Sequence, residues 1–158
     1  MKDIFTDFMP VYQRRSMLIT LFSTFEVALK NLFVTHANTT GKPFKTKKRK
    51  GENVSVLEHW FNQAKAVGMD LRSTDTSIDI LSDIHCLRLV RNALVHDDGM
   101  HPNAELRGYI VSNPHLSIDG CQIIMGSTYV SYAVSRLKMF AEILIRECMI
   151  SLSPKATS

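Results

Sequence analysis

Helical spacing of apolar residues is the feature that most constrains how this chain folds. From about Pro10 to His36 the segment "YQRRSMLITLFSTFEVALKNLFVTH" repeats apolar residues every three or four positions. One stripe of the expected helix contains Leu18, Phe22, Phe25, Leu29, Leu32 and Phe33. Asn, Thr, Gly and Pro in "HANTTGKP" end the pattern. We therefore expect a long amphipathic helix, with Glu26 as the acid at the border of its stripe.

Three further segments have the same period. "VSVLEHWFNQAKAV" predicts a second helix over residues 54–67, whose inward side chains are Leu57, Trp60, Phe61 and Ala64. A third helix is expected from an N-cap at Thr76 to about His96, where "DDG" ends it. A last helix over Tyr129–Leu152 follows a cap at Ser127 or Thr128. Its predicted buried stripe is Val130, Val134, Leu137, Ala141 and Leu144.

The period changes between the third and last helices. Residues 107–125 contain short β-prone runs at Gly108–Ser112 and Cys121–Met125, with Asn-Pro and Asp-Gly as turn signals. The sequence therefore predicts an all-α fold, a four- to five-helix bundle with an inserted β-hairpin or irregular excursion near 107–125. With 158 residues, we expect one domain over 1–152 and a frayed tail over 153–158.

Composition indicates the cellular location of the protein and the chemical class of its partners. The three cysteines form no C-x-x-C pair, which is typical of reduced thiols in a cytoplasmic protein. Acids and a proline occupy the N-terminus where a secretion signal needs apolar residues, and polar residues interrupt the longest apolar runs, so no membrane span is expected. The net charge is +4, with much of the excess in a basic loop, residues 41–52, which favours polyanionic partners.

The third helix has two different faces. At about 100° per residue, Arg91 falls among apolar positions around Ile80, while His85, Arg88, Asn92 and His96 lie on another side. A half-buried arginine needs a partner, and Glu26 of the first helix is the best candidate. One interpretation of Arg91 is therefore a structural Arg91–Glu26 bridge. One interpretation of His96 is a helix C-cap that the helix dipole favours.

The string "RNALVH", Arg91 to His96, with its Asp-Asp-Gly exit, resembles the R-x(4–6)-H signature of HEPN domains. The first helix, with an acid amid aliphatic residues, also resembles the opening helix of that family. The resemblance covers about Val11 to Ile150. It implies a helical bundle acting as a metal-independent endoribonuclease, with a composite site in a homodimer, and as a toxin or antiviral defence factor. Arg91 and His96 are then the catalytic pair, Asn92 is their polar helper and Glu26 supports Arg91.

These residue types suit RNA cleavage. Histidine titrates near neutrality, so His96 can exchange a proton with the attacking 2′-hydroxyl or the leaving 5′-oxygen, and a 2′,3′-cyclic phosphate results. The guanidinium of Arg91 can bind a phosphate as it gains charge. The two residues are about 140° apart on a regular helix. Either the helix loosens before "HDDG", or the site combines residues from two chains. No cofactor and no metal are expected.

The basic residues are the expected RNA contacts. They are Lys45, Lys47, Lys48, Arg49, Lys50 and, on the third helix, Arg88. Phe44 is expected to stack on a base. The alternative is a solvated, mobile loop without a ligand.

Two other functions stay open at this stage. His96-Asp97 is a His-Asp dyad, and further histidines at 36, 59, 85 and 101 suggest a metal-dependent phosphohydrolase, although the last helix lacks the distant Asp ligand. Alternatively, the chain is a non-catalytic HEPN-like binding or dimerisation module, or a toxin silenced by an antitoxin protein. Met139, Met149 and Tyr132 of the last helix are candidates to face such a partner.

Overall fold

The computed structural model describes residues 9–48, 50–51 and 53–153 of the chain. Over these residues it contains five helices and one antiparallel pair of strands. In chain order the elements are α1 (Met9–Thr40), α2 (Val56–Ala64), α3 (Asp75–His96), α4 (Ala104–Ser112), β1 (Leu116–Asp119), β2 (Gln122–Met125) and α5 (Tyr129–Leu152). The protein is therefore mostly helical with a small β excursion, as the sequence predicts.

Side-chain caps define where three helices begin. Ser55 accepts a hydrogen bond from the Glu58 backbone N–H at the start of α2, and Asn103 accepts one from Leu106 at the start of α4. The prediction of Thr76 as the cap of α3 is wrong. The hydroxyl of Thr74 accepts the bond from Ser77 N at 3.1 Å, because the helix already begins at Asp75.

The segment before the hairpin is helical, which corrects the prediction of a strand at Gly108–Ser112. Its apolar residues Leu106 and Ile110 are buried and four positions apart, which is a helical period, and Asn103 caps the helix. The hairpin lies further along the chain. It pairs Leu116 with Met125 and Asp119 with Gln122, and Gly120 at φ 58° makes the turn.

The chain forms two compact units. One unit contains the described residues up to Thr24 together with Leu81–Lys138, and the other contains Phe25–Ile80 and the described residues from Met139 onward. The large, fully buried side chains of the first unit include Leu18, Phe22, Ile84, Leu87, Val90, Ile123 and Tyr129. Those of the second include Phe33, Val67, Met69, Ile80 and Phe140. A single domain over 1–152 stays a prediction.

The predicted buried faces agree with the structure in part. All four inward residues predicted for α2 are buried, as are Leu18, Phe22, Leu29 and Phe33 of α1. Val134 of α5 is 47% exposed, so its predicted burial is wrong. The inward positions of α5 are Tyr129, Ala133, Leu137, Phe140, Ile143 and Leu144. This face is favoured because it buries two large aromatic rings.

Helix α1 also has the length and apolar content of a membrane span. The core helix of a soluble protein can have the same length and apolar content. In the most apolar 18-residue stretch of α1, 22% is buried. Tyr12, Met17 and Val27 are exposed along it. The expectations of a cytoplasmic protein and of no membrane contact therefore stay predictions.

Hydrogen bonds attach the backbone of the basic loop to α2 in the second unit. Trp60 Nε1 donates to the Thr46 carbonyl at 2.9 Å, and Gln63 both donates to and accepts from the backbone of Lys45 at 2.8 Å. Phe44 stacks on Phe33 with 5.3 Å between ring centroids, and its predicted stacking on a base stays a prediction. The described part of this loop therefore has a set path, with its lysine side chains exposed.

We predict that Trp60→Phe loosens this loop while α2 stays folded. The substitution keeps an apolar ring on α2 but removes the bond to Thr46, which is worth about 1 kcal/mol. Trypsin should then cut after Lys45, Lys47 or Lys48 about fivefold faster. Phe61→Leu is the control, because it alters the same buried face without a bond to the loop. Equal cleavage rates for wild type and Trp60→Phe would contradict this role.

Candidate active site

Helix α3 ends in a C-terminal turn that directly follows His96. Asp97 N donates to the Ala93 carbonyl at 3.0 Å, and Gly99 N donates to the same oxygen at 2.8 Å. Asp98, between them, adopts a left-handed conformation at φ 51°. This is a Schellman-type ending with an aspartate where glycine is usual. Because α3 is helical through His96, the first of the two alternatives, a helix that loosens before "HDDG", is not seen.

An ion pair holds the turn in place. Arg15 of α1 is 8% exposed, and its Nη1 lies 2.6 Å from Oδ1 of Asp98. A non-glycine residue rarely adopts a left-handed conformation unless its surroundings impose it, and here the carboxylate is tied to a buried guanidinium. Sequence reasoning missed Arg15. The available signals were an arginine pair inside an apolar helix and a second acid after α3.

The hairpin fixes the other side of the same turn. Ile123 N donates to the Gly99 carbonyl at 2.9 Å, and His101 N donates to the Cys121 carbonyl at 2.8 Å. Gly99 is at φ 76°, and a Cβ there would lie 3.1 Å from Leu94 Cδ2, so the position requires glycine. The inserted hairpin therefore positions the loop that carries His101.

A cleft of about 200 Å³ opens beside this turn in the first unit. Its lining residues are Leu89, Asn92, Ala93, His96, Asp97, Met100, His101, Pro102, Asn103 and Leu106. The histidines His96 and His101 are both exposed. Within the described part of the chain neither imidazole makes a hydrogen bond, so both rings have nitrogen atoms available to a ligand.

Arg91 reaches this cleft through Asn92. Its Nη1 donates to Asn92 Oδ1 at 2.9 Å, and its Nη2 donates to Ser23 Oγ at 3.2 Å. Because guanidinium only donates, the oxygen of the Asn92 amide must face Arg91. The Nδ2 donors of Asn92 make no bond to the described residues. The structure thus brings Asn92 and His96 into one cleft, whereas Arg91 is half-buried behind Asn92.

The remaining predicted site residues are not part of this cleft's lining. Glu26 is half-buried in the second unit, and its pairing with Arg91 stays a prediction. Arg88 is half-buried, with an Nε atom that has no hydrogen-bond partner among the described residues. Lys45, Lys47, Lys48 and Lys50 are exposed in the second unit. Arg49 lies outside the described residues, and contact of this set with RNA stays a prediction.

The geometry lends no support to the metal-dependent alternative. Among the described residues, no three His, Cys, Asp or Glu side chains converge as metal ligands would. His85 contacts Glu105 at 2.9 Å, and His36 contacts the Val67 carbonyl and the Ser151 hydroxyl. His59 contacts the Lys45 carbonyl at 3.1 Å. Three of the histidines proposed as ligands are thus engaged in other contacts.

A second polar cluster in the first unit is held in uncharged or paired form. Burial raises the pKa of the Cys86 thiol to about 11, and burial also raises the pKa of the Tyr109 and Tyr129 hydroxyls. Asp83 accepts hydrogen bonds from Tyr132 and Arg136. A thiol with a raised pKa is a poor nucleophile at neutral pH, so Cys86 is not a candidate catalytic group.

No family model, no curated protein and no solved structure matches this chain. The arguments for a function therefore depend on the side chains at the end of α3.

We predict a ranking of stability at Asp98. Asp98→Asn tolerates the left-handed conformation but removes the charge beside Arg15, and should lower the free energy of unfolding by roughly 1 kcal/mol. Asp98→Ala also places a poorly suited residue at positive φ, and should lose about 1 kcal/mol more. Urea unfolding of the three proteins measures both differences. If the alanine variant equals the asparagine variant, the left-handed turn is not a constraint on folding.

Proposed function

We propose that this chain is a HEPN-like, metal-independent endoribonuclease that acts as a homodimer on RNA. The observation that carries the proposal is that Asn92 and His96 line one cleft while Arg91 donates a hydrogen bond to Asn92. The three residues of the "RNxxxH" string are therefore linked: two line the same cleft, and the third is bonded to one of them. A capping role alone does not require the link between Arg91 and Asn92.

Each group has a chemical task in this proposal. His96, exposed and without a hydrogen bond to the described residues, transfers a proton during attack by the 2′-hydroxyl or departure of the 5′-oxygen. The Asn92 amide donates to a non-bridging phosphate oxygen, because its own oxygen is held by Arg91. Arg91 orients Asn92 and adds positive charge where the phosphate gains negative charge. The product is a 2′,3′-cyclic phosphate.

A homodimer would bring together side chains that one helix holds apart. Because α3 is regular to His96, Arg91 and His96 project about 140° apart from the same helix. Two copies arranged about a two-fold axis along this helix would bring both Arg91–His96 pairs into one groove. The basic residues of the 41–52 loop and Arg88 would then hold further phosphates of the RNA. We assign the activity to a toxin or an antiviral defence RNase.

The direct test is cleavage of a structured RNA by the purified protein in EDTA. Wild type should cut and leave cyclic-phosphate ends, while His96→Asn should lose about 100- to 10,000-fold in rate, as expected for loss of a proton-transfer group. Arg91→Lys keeps the charge but cannot form the same two bonds to Asn92 and Ser23, and should lose about 100-fold.

The control for this test is His85→Asn, which removes an imidazole from the same helix outside the cleft and should leave the rate near that of wild type. Cleavage that needs added metal, or that persists in His96→Asn, would refute the proposal. So would fully active Arg91→Lys combined with unchanged product ends.

A second candidate function, a binding module or a toxin silenced by an antitoxin, is favoured by one observation on α5. Ile145, Met149 and Ile150 are 55%, 67% and 60% exposed, and they line an apolar groove with Glu142 and Arg146. Their spacing suits an amphipathic helix of a partner protein. Of the residues expected to face a partner, Met149 is exposed, whereas Tyr132 is half-buried and bonded to Asp83.

Substitution of Met149 separates the two functions. We predict that Met149→Lys releases an antitoxin that co-purifies with the wild-type chain but leaves RNA cleavage by the isolated protein unchanged, because the charge disfavours an apolar interface. Val111→Lys, at a position 85% exposed on α4, is the control and should retain the partner. Retention of the partner by Met149→Lys would contradict binding at this groove.

A further inference from the structure

We propose that His101 is a second proton-transfer residue of the same cleft, so that one chain carries both the acid and the base for RNA cleavage. This inference rests on the proposed function and deepens it. The sequence motif contains one histidine, but cleavage by the 2′-hydroxyl needs one group to accept a proton and another to give one.

The position of His101 suits this task. It lines the same cleft as Asn92 and His96, but it comes from the loop between α3 and α4. Its imidazole is exposed and, like that of His96, makes no hydrogen bond to any residue that the structure describes. By contrast, the imidazole of His85 contacts Glu105, and the imidazole of His115 contacts Thr128.

The backbone of His101 is held in a conformation that is uncommon for residues other than glycine. Its φ is 51°, in the left-handed region, where histidine is found more often than most non-glycine residues. The conformation is constrained on both sides, because its N–H is bonded to the Cys121 carbonyl and Asn103 caps α4 two residues later. Strain of this kind persists where the surroundings impose it, and it is frequent at functional sites.

The cleft also offers donors for a phosphate. The Asn92 amide provides N–H donors from α3. Asn103 lines the same cleft, and because its side-chain oxygen accepts from Leu106 N, its amide N–H groups are its remaining donors. A phosphodiester bound in this cleft would therefore meet amide donors and both imidazoles.

The proposed step is balanced in atoms and charge. One imidazole, in its neutral form, takes the proton of the 2′-hydroxyl as the bond between O2′ and phosphorus forms. The other, as imidazolium, gives its proton to O5′ as the bond between phosphorus and O5′ breaks. The products are a 2′,3′-cyclic phosphate and a 5′-hydroxyl, and exchange with water restores both rings. Neither a metal nor a redox partner enters the step.

The test compares wild type, His96→Asn and His101→Asn over a range from about pH 5 to pH 9. Asparagine tolerates the left-handed conformation at 101, so the variant should fold, which the thermal unfolding midpoint verifies. Wild type should give a bell-shaped profile of kcat/KM in EDTA. Each variant should lose about 100- to 10,000-fold, and the two should lose opposite limbs of the bell.

An RNA with a 5′-phosphorothiolate linkage identifies the acid, because the sulfur leaves without a proton. One of the two variants should recover most of its rate on this substrate, and the other should not. His85→Asn serves as the matched control and should behave as wild type on both substrates.

The outcomes separate this inference from the proposed function. A wild-type protein that cuts RNA while His101→Asn keeps both limbs of the profile and a near wild-type rate overturns the role of His101 alone. Loss of the same limb by both variants also overturns it. A wild-type protein that does not cut RNA in EDTA overturns the proposed function together with the inference.

Discussion

The ion pair between Arg15 and Asp98 is the interaction on which the geometry of the candidate site depends. A buried guanidinium needs an anionic partner, and Asp98 supplies it from a left-handed position in the turn after α3. Gly99 follows at positive φ and is bonded to Ile123 of the hairpin. Helix α1, the end of α3 and the hairpin are thereby joined at one turn, directly after His96.

In the candidate site, neighbouring elements hold the backbones of the two histidines. His96 is the last residue of α3, and the N–H of His101 is bonded to the Cys121 carbonyl in the turn of the hairpin. Sites built on helices and strands hold their side chains more accurately than sites on free loops. The guanidinium of Arg91 is linked to the cleft through its hydrogen bond to Asn92, and it also donates to Ser23. This network explains why an arginine is tolerated on the apolar face of α3.

Most helices could be predicted because the spacing of their apolar residues follows the helical period. The stripe of α1 and the inward face of α2 follow from that pattern. The prediction of a strand at Gly108–Ser112 was wrong. Although the residues there are β-prone, Asn103 caps a helix, and the helix buries Leu106 and Ile110. The contacts of Arg15 and His101 could not be predicted, because their partners, Asp98 and Cys121, are 83 and 20 positions away along the chain. Arg91, Asn92 and His96 could be proposed from the sequence because one helical motif contains all three.

The central claim, that the cleft beside His96 binds the scissile phosphate of RNA, can be measured without catalysis. Nitrogen-labelled imidazoles can be followed by NMR while uridine 2′,3′-cyclic phosphate, the kind of product expected, is added. The account predicts that the His96 and His101 signals shift together along one saturation curve, while those of His36 and His85 stay constant. Unchanged signals from both His96 and His101 at saturating ligand would contradict it.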